Sequence, residues 1–131
     1  QSGGMSKAWI ELNRAEGLLS NCGYLPGSQL KVLISHLINA LDNVTSFILG
    51  EDTLLEQSYL VLSANRLFTD PHLEESFYDT YFFLKNLLGK SIQRINSEQL
   101  RVSGYKNELI VDQQYFQSFI DKVRSVVSEV Y

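Results

Sequence analysis

An all-α fold, an antiparallel bundle of four to five helices, is predicted from three observations. Apolar residues recur every three or four positions along most of the chain, which is the period of a helix with one buried face. Cap and breaker residues separate these segments, as Gly and Pro do at Gly23-Tyr24-Leu25-Pro26 and Asp and Pro do at Asp70-Pro71. The composition, 44% hydrophobic and 20% charged over 131 residues, is that of one ordinary globular domain without repeats or linkers.

The first helix is expected from about Lys7 to Asn21 with Ser6 as N-cap, because Ala8, Leu12, Ala15 and Leu19 share a face that Trp9 and Leu18 widen. Ser28 is a candidate cap for the second, where Leu30, Ile34, Leu37, Leu41, Val44 and Ile48 alternate spacings of four and three. Lys31, Ser35, Asn39, Asp42 and Ser46 form its wet face, and Gly50 ends it. Thr53-Leu54-Leu55-Glu56 has the form of a capping box and predicts a third helix reaching about Phe68. Asp70 as N-cap and Pro71 at the first helical position begin the fourth, which carries Leu73, Phe77, Tyr81, Leu84 and Leu88 and stops at Gly89. The last starts after Asp112 and holds Phe116, Phe119, Ile120, Val123, Val127 and Val130 on one face. Its β-branched residues lower helix propensity only modestly, so period and length prevail.

Between Gly89 and Asp112 the period fails. Ser91–Ile95 reads as one more helical turn and Leu109-Ile110-Val111 as a short extended piece. Long irregular segments are uncommon in compact domains and are often functional.

Several function classes lose support. Cys22 is the single cysteine, which excludes an internal disulfide and a Cys-based zinc cluster, and no histidine adjoins it in sequence to activate a thiolate. His36 sits at the edge of the second helix's apolar face and His72 in the first turn of the fourth helix beside Glu74 and Glu75. Neither has a metal-ligand spacing or an evident orienting partner, so neither metal nor cofactor is expected. Phosphate loops, nucleophile elbows and zinc-protease motifs are missing. Apolar runs such as Tyr81-Phe82-Phe83-Leu84 are short beside the roughly 20 residues of a membrane span. A cytoplasmic protein with no membrane partner is therefore expected. Gln1-Ser2-Gly3-Gly4 reads as a tag remnant before a single domain from Met5 to Tyr131.

The net charge of −4 is unevenly spread. Between Lys90 and Asn107 the cations Lys90, Arg94, Arg101 and Lys106 face Glu98 alone. Such a segment on an acidic chain attracts phosphate, and Tyr105 adds a ring on which a base can stack. A solvated loop with a packed tyrosine gives the same pattern. Further back, Phe77, Tyr78, Tyr81, Phe82 and Phe83 cover more than one side of the fourth helix, an arc that suits either a central core helix or a homodimer interface.

Three segments carry a resemblance. The opening helix ending near Leu18-Leu19, the stretch Ser35-His36-Leu37-Ile38-Asn39-Ala40-Leu41, and Leu100-Arg101-Val102-Ser103-Gly104-Tyr105-Lys106 before a final amphipathic helix resemble the HEPN (higher eukaryote and prokaryote nucleotide-binding) family of small, often dimeric bundles. The ribonucleases of that family pair an Arg with a His from which four to six residues separate it. Arg101 matches, but Lys106, Asn107 and Glu108 occupy the positions for His. The resemblance therefore implies a non-catalytic module that binds nucleotide or RNA through Lys90, Arg94, Arg101, Tyr105 and Lys106. The rival is a protein-interaction module, the helical partner of a nucleotidyltransferase or of a toxin–antitoxin-like system. A degenerate ribonuclease using His36 or His72 is a third reading.

Overall fold

A computed structural model describes residues 2–21, 24–65 and 68–130, with the backbone alone at residues 2–4 and 21. Five helices carry most of the chain: α1 (Ser2–Asn21), α2 (Gly27–Leu49), α3 (Leu55–Asn65), α4 (Pro71–Leu88) and α5 (Gln113–Val130). Cys22 falls outside the described residues.

Helix α2 is the axis of the bundle and packs on α1, α3, α4 and α5. Its periodic residues Leu30, Ile34, Leu37, Leu41 and Val44 are fully buried, as are Ala8, Leu12 and Ala15 of α1, Phe77, Tyr81 and Leu84 of α4, and Phe116, Ile120, Val123 and Val127 of α5. The heptad-like spacing thus identifies the buried faces correctly. By length and mean hydropathy α2 is also long and apolar enough to cross a bilayer, contrary to the expectation from short apolar runs. Polar positions interrupt the runs without lowering the average enough.

The stop signals hold where the backbone itself demands them. Gly50 adopts φ 72°, the left-handed conformation that glycine tolerates, and its N–H returns to the Ser46 carbonyl. Asp70 accepts a hydrogen bond from the His72 N–H, with Pro71 beginning α4, and Asp112 accepts one from the Tyr115 N–H at the start of α5. The start signals of the first three helices differ. Helix α1 begins at Ser2 rather than after Ser6, and Pro26 stands at the N-cap of α2, leaving Ser28 in its first turn. The capping box is displaced by one residue. Leu54 N–H donates to Gln57 Oε1, Thr53 pairs with Ser58 through their hydroxyls at 2.6 Å, and Glu56 instead meets Lys85 at 2.9 Å. Helix α3 is described over Leu55–Asn65, and Phe68 is not helical.

Asp42 and Ser46 lie under the incoming α3 segment instead of on a wet face. Asp42 accepts the Leu55 N–H at 2.9 Å, and the Ser46 hydroxyl donates to the Thr53 carbonyl. Burial raises the Asp42 carboxyl above its ordinary range, although the Leu55 N–H, the Tyr81 hydroxyl and Lys85 all pull it down. The Tyr81 hydroxyl is enclosed beside it without a well-formed hydrogen bond.

The larger correction concerns the segment after α4. It is not a loop with a helical turn but an antiparallel meander, β1 (Ser91–Arg94), β2 (Leu100–Ser103) and β3 (Glu108–Val111), in spatial order β1-β2-β3. The fold is therefore mostly helical with a small sheet, and the extended reading of Leu109–Val111 is correct. Ile92 lies opposite Val102, and Val102 opposite Leu109. Opposed side chains share a face, so Ile92, Leu100 and Val102 are buried on the core side, and Arg101, Glu108 and Ile110 stand on the other.

Candidate interaction surface on the sheet and along α5

The ladder has a definite phase. Ile95 N–H donates to the Gln99 carbonyl at 3.0 Å, and Gly104 N–H to the Asn107 carbonyl at 2.9 Å. Bonded and unbonded pairs alternate in antiparallel sheets. Arg101 and Ser103 therefore direct their backbone groups to β1, while Leu100 and Val102 direct theirs to β3, and the two hairpins agree on β2. The backbone groups of Ile92 and Arg94 must point out of the sheet beyond β1, and those of Glu108 and Ile110 beyond β3.

These two edges are treated differently. The β1 edge abuts the start of α2, where a Cβ on Gly27 would stand 1.7 Å from the Ile92 carbonyl oxygen, so only glycine permits this approach. The carbonyl meets the positive end of the α2 dipole there. Arg94 then locks the corner. Its guanidinium donates to the carbonyls of Leu25 (2.7 Å), Asn96 (3.0 Å) and Ser97 (3.3 Å) and to Gln113 Oε1 (2.6 Å). Gln113 Oε1 also accepts the Leu25 N–H, and the Tyr24 ring lies 5.2 Å from the guanidinium. One arginine thus ties the α1–α2 connection, the first hairpin and α5 together.

At β3, by contrast, no hydrogen bond among the described residues uses the outward N–H or C=O of Glu108 or Ile110. Leu109 and Ile110 remain 49% and 44% exposed on that edge.

Two grooves meet beside it. One of about 700 Å³ is lined by Gln99, Ile110, Val111 and Tyr115, and the next, about 360 Å³, by Thr80, Phe83, Tyr115, Phe119 and Lys122. Tyr115 and Ser118 belong to both. Phe83, 46% exposed, stacks on Phe119 at 5.3 Å, and Tyr115 meets Phe119 edge-on at 5.1 Å. An aromatic and aliphatic strip therefore runs from the free strand to α4. Burial raises the Tyr115 hydroxyl above its ordinary range, keeping it a neutral hydrogen-bond donor.

The five residues expected to bind phosphate do not converge. Arg94 is committed to the corner just described, at the far end of the sheet from Tyr105. Arg101 forms an ion pair with Glu108 on the neighbouring strand. Lys90, Tyr105 and Lys106 gather at the β2–β3 turn: Lys90 Nζ lies 2.8 Å from where a Cβ on Gly104 would stand, and Lys106 Nζ is 5.4 Å from the Tyr105 ring, which is 94% exposed. Of the aromatic residues expected at an interface, Phe77, Tyr78 and Tyr81 are buried in the core, and Phe82 and Phe83 are exposed, Phe82 beside Tyr59. Phe83 belongs to the aromatic run read from sequence as a candidate interface, but Tyr115, Phe119, Leu109 and Ile110 were not singled out as a surface. The only signal for them is the apolar run Leu109-Ile110-Val111 between charged neighbours.

The histidines stand apart from Arg101. His36 Nδ1 lies 2.7 Å from Glu11 Oε1 between α1 and α2, and His72 is exposed at the start of α4. Burial works to raise Glu11, but hydrogen bonds from His36 and Asn39 and the charges of His36 and Arg14 outweigh it and hold the carboxyl below its ordinary range. A hollow of about 620 Å³ between α3 and α4 is lined by Glu74, Glu75 and Asp79 with Tyr59 and Tyr78, a carboxylate set that disfavours anions. Among the described residues no group of three or more potential ligands converges on a metal position. Family models, curated proteins and solved structures offer no match to this chain.

Proposed function

We propose that the chain is a non-catalytic polypeptide-interaction module that receives an extended segment along the β3 edge and the α5 strip. The observation that carries this reading is the unpaired β3 edge with Leu109 and Ile110 half exposed, continuous with the Tyr115–Phe119–Phe83 strip. Strand addition uses such an edge for affinity and the adjoining apolar hollows for specificity. A HEPN-like module serving a nucleotidyltransferase or a toxin–antitoxin-like partner is one form of this proposal. Selection from a random peptide library displayed on phage tests it. Peptides with alternating apolar residues are expected to bind wild type and to lose Ile110→Pro, which removes an outward N–H. Recovery of no binders, or binding unchanged in that variant, overturns the reading.

Nucleotide or RNA binding is a second reading, supported by the exposure of Tyr105 between Lys106 and Lys90. Anisotropy of a labelled single-stranded RNA at about 50 and 200 mM salt tests it, since phosphate-driven binding weakens steeply with salt. Salt-sensitive binding lost in a Tyr105→Ala/Lys106→Ala double variant supports this reading, and no binding at either salt removes it.

A further inference from the structure

A second β3 is a self-complementary occupant of the free edge. Leu109 and Val111 spend their backbone groups on β2, so a strand added outside must bond to Glu108 and Ile110. Two copies related by a two-fold axis can meet this requirement in registers centred on residue 108, 109 or 110. Centring on Glu108 sets two carboxylates opposite each other, and centring on Ile110 sets Glu108 opposite the partner's Asp112 at both ends. Like charges directly opposed are destabilising. Centring on Leu109 has neither fault. Each Glu108 then exchanges both backbone hydrogen bonds with the partner's Ile110, Leu109 lies against the partner's Leu109, and Lys106 comes opposite the partner's Asp112 twice. Leu109 shares its sheet face with the buried Ile92 and Val102, so the leucine pair prolongs the apolar side of the sheet.

From this geometry we infer that the molecule dimerises by antiparallel β3–β3 pairing about a two-fold axis at Leu109, joining two three-stranded sheets into one. The inference rests on the interaction-module reading and names the partner as a second copy of this chain. A strand of four residues buries little area, so the dimer is a weak one of the transient class.

Sedimentation of the full chain between about 10 µM and 1 mM suits an interface of that class. The mass is expected to rise from monomer towards dimer, and Ile110→Pro is expected to weaken association about tenfold or more while keeping the β2–β3 ladder. The register is read separately by oxidation in a Cys22→Ser background. Leu109→Cys is expected to give a disulfide-linked dimer, because residues facing one another in an unbonded antiparallel pair have Cα atoms about 4.5 Å apart, within disulfide reach. Glu108→Cys and Ile110→Cys should form no disulfide-linked dimer. Wild type that stays monomeric with no cross-link at 109, or a cross-link at 108 or 110 in its place, overturns the inference. Selected peptides that still bind a strictly monomeric protein would leave the interaction reading standing while this dimer falls.

Discussion

The two edges of one small sheet show how the same backbone chemistry is resolved in opposite ways. Both outer strands have four residues and present alternate N–H and C=O groups outwards. At β1 the helix α2 advances onto those groups through Gly27, and Arg94 fastens the junction to α5. At β3 nothing among the described residues covers them, and the apolar side chains beside them stay half exposed. Natural proteins shield such edges with charge, bulges or cover. Here Glu108, Lys106 and Asp112 flank the edge without covering Leu109 and Ile110, so charge disfavours wrong registers while the strand remains available.

The largest break in this comparison is expected from Gly27→Ala. Its Cβ would overlap the Ile92 carbonyl, and separating α2 from β1 should cost about 3 kcal/mol or more. Urea unfolding checks this, and near wild-type stability would mean that the β1 edge is not sealed as described. Arg94→Ala comes next at about 2 kcal/mol, since it removes charge-assisted hydrogen bonds to two part-buried acceptors, the Leu25 carbonyl and Gln113 Oε1. A double-mutant cycle with Gln113→Ala should show coupling, whereas additive losses would separate Arg94 from α5.

Asp42 offers a control inside the bundle. Asp42→Asn keeps an acceptor for the Leu55 N–H and removes a buried charge, so its melting temperature at pH 7 should equal or exceed wild type, while Asp42→Ala should lose about 1 kcal/mol. The raised folded-state pKa makes this group's contribution complete below its unfolded pKa and lost as pH rises through the folded value. Glu11, held below its ordinary range, contributes in the opposite sense, above its unfolded pKa, and that stabilisation fades as pH falls through the folded value. Melts from pH 3 to 7 of Asp42→Asn and Glu11→Gln should deviate from wild type in opposite directions. The smallest effect belongs to the free edge: Leu109→Ser should change unfolding free energy by no more than about 0.5 kcal/mol. A much larger loss would mean that β3 is covered after all.

The buried faces of α1, α2, α4 and α5 were legible from spacing, and Gly50, Asp70 and Asp112 marked boundaries because each acts on its own backbone. Of the sheet, only the extended Leu109–Val111 was legible. Four residues span two alternations, too few to distinguish a strand from a helical turn, and Ser91–Ile95 suits either. The phosphate-site reading of Lys90, Arg94, Arg101, Tyr105 and Lys106 depended on where the segment was cut, because Glu108, one residue beyond it, pairs with Arg101. Nothing local could reveal that Arg94 would find acceptors at Leu25 and Gln113, far away along the chain.

By itself the sequence determined a mostly helical fold, because a period of three to four residues sustained over many turns admits only one buried face. Tertiary structure alone decided which charges are spent, which of two equivalent edges is closed, and where apolar surface is left over. Those outcomes depend on contacts between residues distant in the chain, and neither residue of such a pair encodes the contact without the other.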